Sequence, residues 1–144
     1  MSEPDGGLPL QLTLGVLDGN YLRTTILRRE DEDWLEAEVE VRSAGFNGRC
    51  LVTLWSMAFA PFRNQLQTLI DNGKGVAKFV PAEPWLTIGL QWDCYDTVEA
   101  VCTVRDNLDG GNELRTRFVI SPGQLETIAQ ELDRIIQACS VVRR

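Results

Sequence analysis

The chain has 144 residues, of which 44% are hydrophobic and 24% charged, with no histidine and a formal net charge of −7. This size and composition are typical of one globular domain with its own core. The acidic balance argues against a nucleic-acid binder, which would meet phosphates with a basic face. The absence of histidine excludes His-based triads, Cys–His dyads and His-containing zinc sites.

Residues 1–9, rich in Gly and Pro, are expected to be a flexible N-terminus, and residues 10–140 a single domain. The N-terminus lacks the basic start and apolar stretch of a secretory signal. No apolar run approaches the ~20 residues of a membrane span. We therefore expect a cytoplasmic protein without membrane contact. In that reducing compartment the cysteines should be free, mostly buried thiols: Cys50, Cys94, Cys102 and Cys139.

Strict alternation of apolar and polar residues predicts eight strands, and a 3.6-residue period predicts two amphipathic helices. The strands are expected at 10–16, 21–28, 34–42, 46–55, 75–80, 85–93, 97–105 and 113–120, and the helices at 57–73 and 121–139. The order ββββα-ββββα predicts an α+β fold. It would be a mainly antiparallel β-sheet of about eight strands, with both helices packed on one sheet face.

The helix ends carry recognisable signals. Ser56 is a candidate N-cap for the first helix and Gly73 its stop. In the second helix, Ser121 followed three residues later by Gln124 is a capping-box pattern. A short echo between "EAEVEVR" (36–42) and "EAVCTVR" (99–105) has two interpretations: an internal duplication, or two β-hairpins that look alike because each leads into a helix.

The strand at 34–42 has one charged face. Glu36, Glu38 and Glu40 share it, and they form either a solvated wall paired with neighbouring arginines or a docking surface. An acidic loop precedes this strand. Two tryptophans fall on the polar side of their strands, as interface anchors or as cover for the sheet edge. The candidate partner-binding residues are Glu30, Asp31, Glu32, Asp33, Trp34, Glu36, Glu38, Glu40 and Trp55.

Catalysis without histidine would need a carboxylate held in an apolar pocket and a second one in solvent. Asp93, beside Trp92 and Tyr95 and close to Asp96, is the only carboxylate with apolar neighbours in the sequence. The stretch 93–96 nevertheless reads first as a hairpin loop. We expect no enzymatic activity, no cofactor and no metal site.

Several segments together resemble a known family. They are "FNG" (46–48), Trp55, "PFRNQLQTL" (61–69), "GVAKFV…WLTIGLQWD…TVEAVCTVRD" (75–106) and "ELRTRFVISPGQLETIAQEL" (113–132). Over residues 20–138 the chain resembles small bacterial WapI-like immunity proteins and neighbouring families of unknown function with the same layout. The resemblance rests on spaced apolar positions, one F-x-G motif and a helix start.

The resemblance implies a cytosolic protein without catalysis that binds and blocks a toxin domain. Such toxins are often basic nucleases, and an acidic protein would be steered towards them. The alternative interpretation is a small oligomerising or ligand-binding α+β module. The sequence leaves the oligomeric state open.

Overall fold

The computed structural model describes residues 7–93 and 95–139. Its strands and helices are β1 (Leu10–Gly15), β2 (Tyr21–Arg29), β3 (Trp34–Ser43), β4 (Phe46–Trp55), α1 (Phe59–Asn72), β5 (Gly75–Phe79), β6 (Leu86–Trp92), β7 (Val98–Arg105), β8 (Glu113–Ile120) and α2 (Gln124–Cys139). The predicted order ββββα-ββββα and the α+β class are confirmed.

The eight strands form two antiparallel sheets of four, here called the N-terminal sheet (β1-β2-β3-β4) and the C-terminal sheet (β5-β6-β7-β8). Each sheet is a meander in which neighbours in the chain are neighbours in space. Helix α1 separates β4 from β5, so hairpin pairing stops there and the second sheet starts anew. The alternation of side chains predicts the strands but does not predict this division.

The core is one cluster of buried residues to which both sheets and both helices contribute. Strand β3 shows the rule, because Leu35, Ala37, Val39 and Val41 are all buried while the residues between them are not. The buried face of each sheet is therefore the apolar face that the sequence predicts, and the charged residues lie on the outer faces. Leu8, near the N-terminus, also packs against this cluster. Residues 1–6 of the predicted flexible segment lie outside the described residues.

The cysteines occupy the core to different degrees. Cys102 and Cys139 are buried and Cys50 is half-buried, while Cys94 lies outside the described residues. Burial raises the pKa of the Cys102 thiol to about 12. A protonated thiol is a poor nucleophile, so Cys102 acts as a small core residue.

The two helices contact each other and cover one edge of each sheet. Helix α1 lies against β5, where Phe79 meets the rings of Phe59 and Phe62 at centroid distances of 5.0 and 5.8 Å. The Gln65 side chain accepts a hydrogen bond from the backbone N–H of Lys78 on that edge at 2.8 Å. Because a free strand edge invites pairing with other chains, such side-chain bonds protect it.

Helix α2 covers the β1 edge in the same manner. Glu131 accepts a hydrogen bond from the N–H of Thr13 at 3.0 Å. Gln124 accepts from the N–H of Gly15 at 3.1 Å and donates to the carbonyl of the same residue at 2.8 Å. Each helix therefore covers the edge strand of the sheet that the other half of the chain forms. Helix α1 covers β5, and α2 covers β1.

Two of the predicted helix caps are wrong. Residues Ser56–Ala58 form a short 3-10 turn before α1, and the Ser56 hydroxyl is buried without a hydrogen-bond partner in the described chain. In α2 the Gln124 side chain serves Gly15 instead of Ser121, because bonding the β1 edge satisfies two buried backbone groups at once. The Gly73 stop is confirmed, with φ of 70° and its N–H donating to the Leu69 carbonyl at 2.9 Å.

Within residues 7–93 and 95–139, neither helix is long and apolar enough to cross a membrane.

Candidate functional site

Glu36, Glu38 and Glu40, here called the glutamate row, lie on the outer face of the N-terminal sheet. Glu40 is the most heavily bonded of the three. It accepts a hydrogen bond from Arg23 at 2.8 Å and another from the Tyr21 hydroxyl at 2.9 Å. Arg49 approaches it from the other side at 3.5 Å. A single carboxylate therefore joins β2, β3 and β4 on this face.

The other two glutamates also have arginine partners across the strands. Glu36 pairs with Arg28 at 2.9 Å, and Glu38 lies 3.9 Å from Arg49. The strand register produces these pairs, since the row runs between the arginines of β2 and β4. The charge of the glutamate row is therefore largely balanced on the sheet itself.

The pKa of Glu40 shows the same balance. Hydrogen bonds from Arg23 and then from Tyr21 hold the pKa of this carboxyl below its ordinary value. A group made more acidic by its partners stays charged and ordered, which suits a structural tie better than proton transfer.

The carboxylates of the β2–β3 hairpin loop, Glu30–Asp33, differ from the glutamate row in their contacts. One of its carboxylates, that of Asp31, builds the turn by accepting hydrogen bonds from the N–H groups of Asp33 at 2.9 Å and Trp34 at 3.0 Å. No ion pair joins Glu30, Asp31 or Asp33 to an arginine or lysine in the part of the chain that the structure describes. The carboxylates of Glu30, Asp31 and Asp33 therefore lie at the end of the sheet without a cationic partner among the described residues.

Two tryptophans flank this loop. Trp34 and Trp55 stand directly opposite each other in the β3–β4 register, and both are half-buried. The N–H of Ser56 donates to the Asp33 carbonyl at 2.8 Å, which ties the end of β4 to the hairpin. The next residue, Met57, is 49% exposed. This end of the sheet therefore combines a charged loop with exposed apolar surface.

The structure thus divides the candidate residues into two groups. Glu30, Asp31, Glu32, Asp33, Trp34 and Trp55 lie together at one end of the N-terminal sheet, and are called the acidic tip below. The glutamate row leads away from this tip along the outer face of β3. Sequence alternation places Trp34, Trp55 and the glutamate row on the polar side of their strands but does not show which carboxylates are already paired.

The candidate acid–base residues are found in solvent. Asp93 and Asp96 are both exposed, in the connection between β6 and β7, and Asp93 accepts a hydrogen bond from Gln91 at 3.2 Å. Both carboxylates lie in solvent, whereas an acid–base pair requires one of the two to be held in an apolar pocket. Among residues 7–93 and 95–139, no group of three or more Cys, Asp or Glu is arranged to hold a metal ion.

Two concave surfaces are not predicted by the sequence. The first is a shallow groove of about 400 Å³ on the outer face of the C-terminal sheet, with Gly89 in its floor and Lys78 and Arg115 among its lining residues. The second is a cleft of about 410 Å³ between the sheets, with Val41, Cys50 and Leu114 among its lining residues. The missing side chain at Gly89 is the only signal in the sequence for the groove; the cleft depends on long-range packing.

The comparison with protein families gives one match. A model of the Immunity protein WapI-like family matches residues 6–140. No curated protein matches the chain. The family match agrees with the resemblance found in the sequence.

Proposed function

The chain belongs to the WapI-like immunity protein family, and on that basis we propose that it is a non-catalytic binding protein that neutralises a bacterial toxin by direct contact. The acidic tip is the proposed docking surface. The observation that carries this assignment is its charge, because Glu30, Asp31 and Asp33 have no ion pair in the described chain whereas every member of the glutamate row has one.

Unpaired charge is the part of a surface that a partner can still use. A paired glutamate must first lose its arginine before it can bind a new cation, and the two changes nearly cancel. An exposed loop carboxylate has no such cost. The acidic tip can therefore attract a basic toxin domain over a distance of about one Debye length, ~8–10 Å at physiological ionic strength.

The two tryptophans give the tip an apolar anchor. Trp55 packs against the core, so its ring is held in place before a partner arrives. Trp34 lies opposite it in the register. Preorganised aromatic side chains lose little conformational entropy on binding and are common among the residues that dominate binding energy. Charge would direct the encounter, and the Trp34–Trp55 pair would hold the complex.

This function takes place in the cytoplasm, where a delivered toxin would meet its target. The glutamate row would extend the docking surface only as a rim, with its arginines in place. The net charge of −7 favours a basic protein and disfavours nucleic acid as the partner.

The test begins with a tagged chain used to capture proteins from the lysate of the source bacterium, at low and at moderate salt, with mass spectrometry of the eluate. The captured protein is then purified, and its toxicity is measured in cells with and without the chain. We expect one basic protein whose capture weakens with salt and whose toxicity the chain relieves. Recovery of the chain alone, or of a protein without toxicity, would contradict the proposal.

Two sets of variants then locate the surface. Glu30→Lys with Asp31→Asn makes the tip less acidic while the amide oxygen at position 31 can still accept the hydrogen bonds of the turn, and we expect at least about tenfold weaker capture. Glu38→Gln in the glutamate row is the matched control, since the 3.9 Å pair with Arg49 is the longest in the row. It should leave affinity within about twofold. If Glu38→Gln weakened capture more than the tip variant does, the docking surface would be the glutamate row and not the acidic tip.

The cleft between the sheets favours a second candidate function, a small ligand-binding module. Its apolar floor and polar rim have the character of a ligand site, although its volume is at the small end of the usual range. The widened variant Leu114→Ala would change the binding of a small apolar probe there and leave toxin capture unaffected. Loss of toxin capture in that variant would show that the cleft is part of the docking surface.

A further inference from the structure

The four sheet edges of this fold are not protected equally. The β1 edge is bonded by Gln124 and Glu131, and the β5 edge by Gln65. The β8 edge carries charged residues along its outer face, Glu113, Arg115 and Arg117. Charged side chains and covering helices are the usual ways in which proteins prevent pairing at an edge.

The β4 edge has none of these protections. It is a ten-residue strand, Phe46–Trp55, which pairs with β3 from end to end without a bulge. It contains no proline and no lysine, and Arg49 is its only charged residue. Within residues 7–93 and 95–139, β3 is the only strand hydrogen-bonded to it, and the Leu114 side chain of β8 lies beside it at Gly48.

Exposed apolar side chains also gather along this edge. Phe46 is 71% exposed, Leu51 is 55% exposed, and Met57, just past the end of the strand, is 49% exposed. Leu51 stands on the outer face between Arg49 and Thr53. A long, regular edge with exposed apolar residues is the feature that leads strands to pair between molecules.

We propose that the β4 edge is a homodimer interface, in which β4 pairs antiparallel with β4 of a second copy and joins the two N-terminal sheets into one. A two-fold axis perpendicular to the sheet relates the copies, so the same residues meet from both sides. The proposal does not depend on the toxin-binding function, because it rests on the β4 edge alone, and Trp55 is the residue that the two surfaces share.

The strand is complementary to itself with Leu51 on the two-fold axis. The buried faces of the two sheets must lie on the same side, so residues of the same face must stand opposite each other. With Leu51 on the two-fold axis, Leu51 faces Leu51, Arg49 faces Thr53, and Asn47 faces Trp55. No like charges meet, and the most exposed leucine of the strand gains an apolar partner. Placing Arg49 on the axis would instead oppose two arginines.

The same register accounts for the other exposed residues. Phe46 of one copy would lie just past the last strand pair, beside the Ser56–Ala58 turn of the second copy, which contains Met57. Both of these exposed apolar side chains would then be covered at the two ends of the new strand pair. The acidic loops Glu30–Asp33 would remain at opposite ends of the joined sheet, while Trp55 of each copy would lie beside Asn47 of the other.

Sedimentation velocity over a range of protein concentrations tests the dimer. We expect the full chain to form a concentration-dependent dimer, and Leu51→Lys to weaken dimerisation by at least about tenfold, since it brings two lysines together on the axis. Val119→Lys is the matched control, because Val119 is 61% exposed on the outer face of the β8 edge. It should dimerise as the unmodified chain does. Circular dichroism melts confirm that both variants are folded.

A cysteine placed on the axis tests the register. In a Cys50→Ser background, Leu51→Cys should form a disulfide between copies on mild oxidation, because directly opposite Cβ atoms lie about 4.5–5.5 Å apart. Thr53→Cys should not, since its two copies would be about 14 Å apart along the strands. A chain that is monomeric at every concentration, or equal dimerisation of Leu51→Lys and Val119→Lys, would overturn the proposal. So would crosslinking at residue 53 but not at 51.

Discussion

Arg23 donates a hydrogen bond from Nη2 to Oε1 of Glu40 at 2.8 Å, across the β2–β3 pair. This bond explains why the most prominent feature of the sequence, three alternating glutamates, is mainly a structural element. The Glu40 carboxylate is already bound within the sheet and is not free to attract a partner. We therefore expect changes in the glutamate row to alter stability more than binding.

Glu40→Gln should lower the free energy of unfolding by about 0.5–1 kcal/mol, because it weakens a charge-assisted bond at a half-buried position. Urea unfolding at neutral pH measures the change. Glu99→Gln is the control, since Glu99 and its partner Arg117 are both well exposed and their atoms are 3.6 Å apart. It should leave the unfolding midpoint unchanged. An equal loss in both variants would contradict the special role of Glu40.

The same bond predicts a pH dependence. The pKa of Glu40 is lower in the folded chain than in the unfolded one, mainly because of the Arg23 hydrogen bond. The stability from this group is therefore complete above the ordinary glutamate pKa of about 4.3, and is lost as pH falls through the lower folded value. The difference in unfolding free energy between the unmodified chain and Glu40→Gln should shrink on acidification over that range. A difference that stays constant would show that Glu40 acts through packing alone.

The ionisation of Glu131 should change the stability with pH in the opposite direction. Burial raises the pKa of its carboxyl, although the hydrogen bond from the Thr13 N–H and the nearby charge of Arg134 lower it. Its ionisation therefore opposes folding. The cost is absent at pH below the ordinary glutamate pKa, grows as pH rises, and is complete above the folded pKa.

Glu131→Gln keeps an oxygen that can accept from Thr13 but removes the buried charge. We expect it to be more stable than the unmodified chain at neutral pH, and equal to it in acid. Thermal melts across this pH range measure the crossover. A variant that is less stable at neutral pH would show that the charge strengthens the Thr13 bond by more than its burial costs.

These residue pairs show which features of the structure can be predicted from the sequence and which cannot. Alternation places the strands and their faces correctly, and the glycine signal places the Gly73 stop correctly. Each of these predictions depends on residues close together in the chain. The sequence cannot show that Glu40 meets Arg23, since the meeting depends on strand register. It also misassigns Gln124, whose spacing from Ser121 predicts a local cap while its actual partner, Gly15, is 109 residues away.

The acidic tip shows the same limit. Composition identifies the run Glu30–Asp33, and parity places Trp34 and Trp55 on the polar side. Only the β3–β4 register places the two tryptophans opposite each other, next to that loop. The unprotected β4 edge has no signal in the sequence, because it is defined by what other elements leave uncovered.

The edge-protecting role of Gln124 is itself testable. Gln124→Ala removes the acceptor for the Gly15 N–H and the donor to its carbonyl, both half-buried. We expect a loss of about 1–2 kcal/mol in unfolding free energy. Gln130→Ala is the matched control on the same helix, since Gln130 is exposed. It should be neutral or slightly stabilising, because alanine is the better helix former. Equal effects would mean that helix propensity, and not the β1 edge, determines the result.

Gly15 is the residue that Gln124 holds, and its backbone admits no other side chain. Its φ is 95°, a conformation that non-glycine residues rarely adopt, and a Cβ there would collide with backbone atoms of Asn20 and Tyr21. Gly15→Ala combines conformational strain with an overlap that only a backbone shift could relieve. We expect a loss of about 3 kcal/mol or more.

Two other glycines serve as controls. Gly73→Ala has a φ of 70° but nothing within 4 Å of the added atom, so it should cost only about 1 kcal/mol. Gly123→Ala, in open space without a positive φ, should change nothing measurable. Chemical unfolding of the three variants should give this order. Equal losses at Gly15 and Gly73 would show that the β1–β2 turn can move, and that Gln124 does not hold it rigidly.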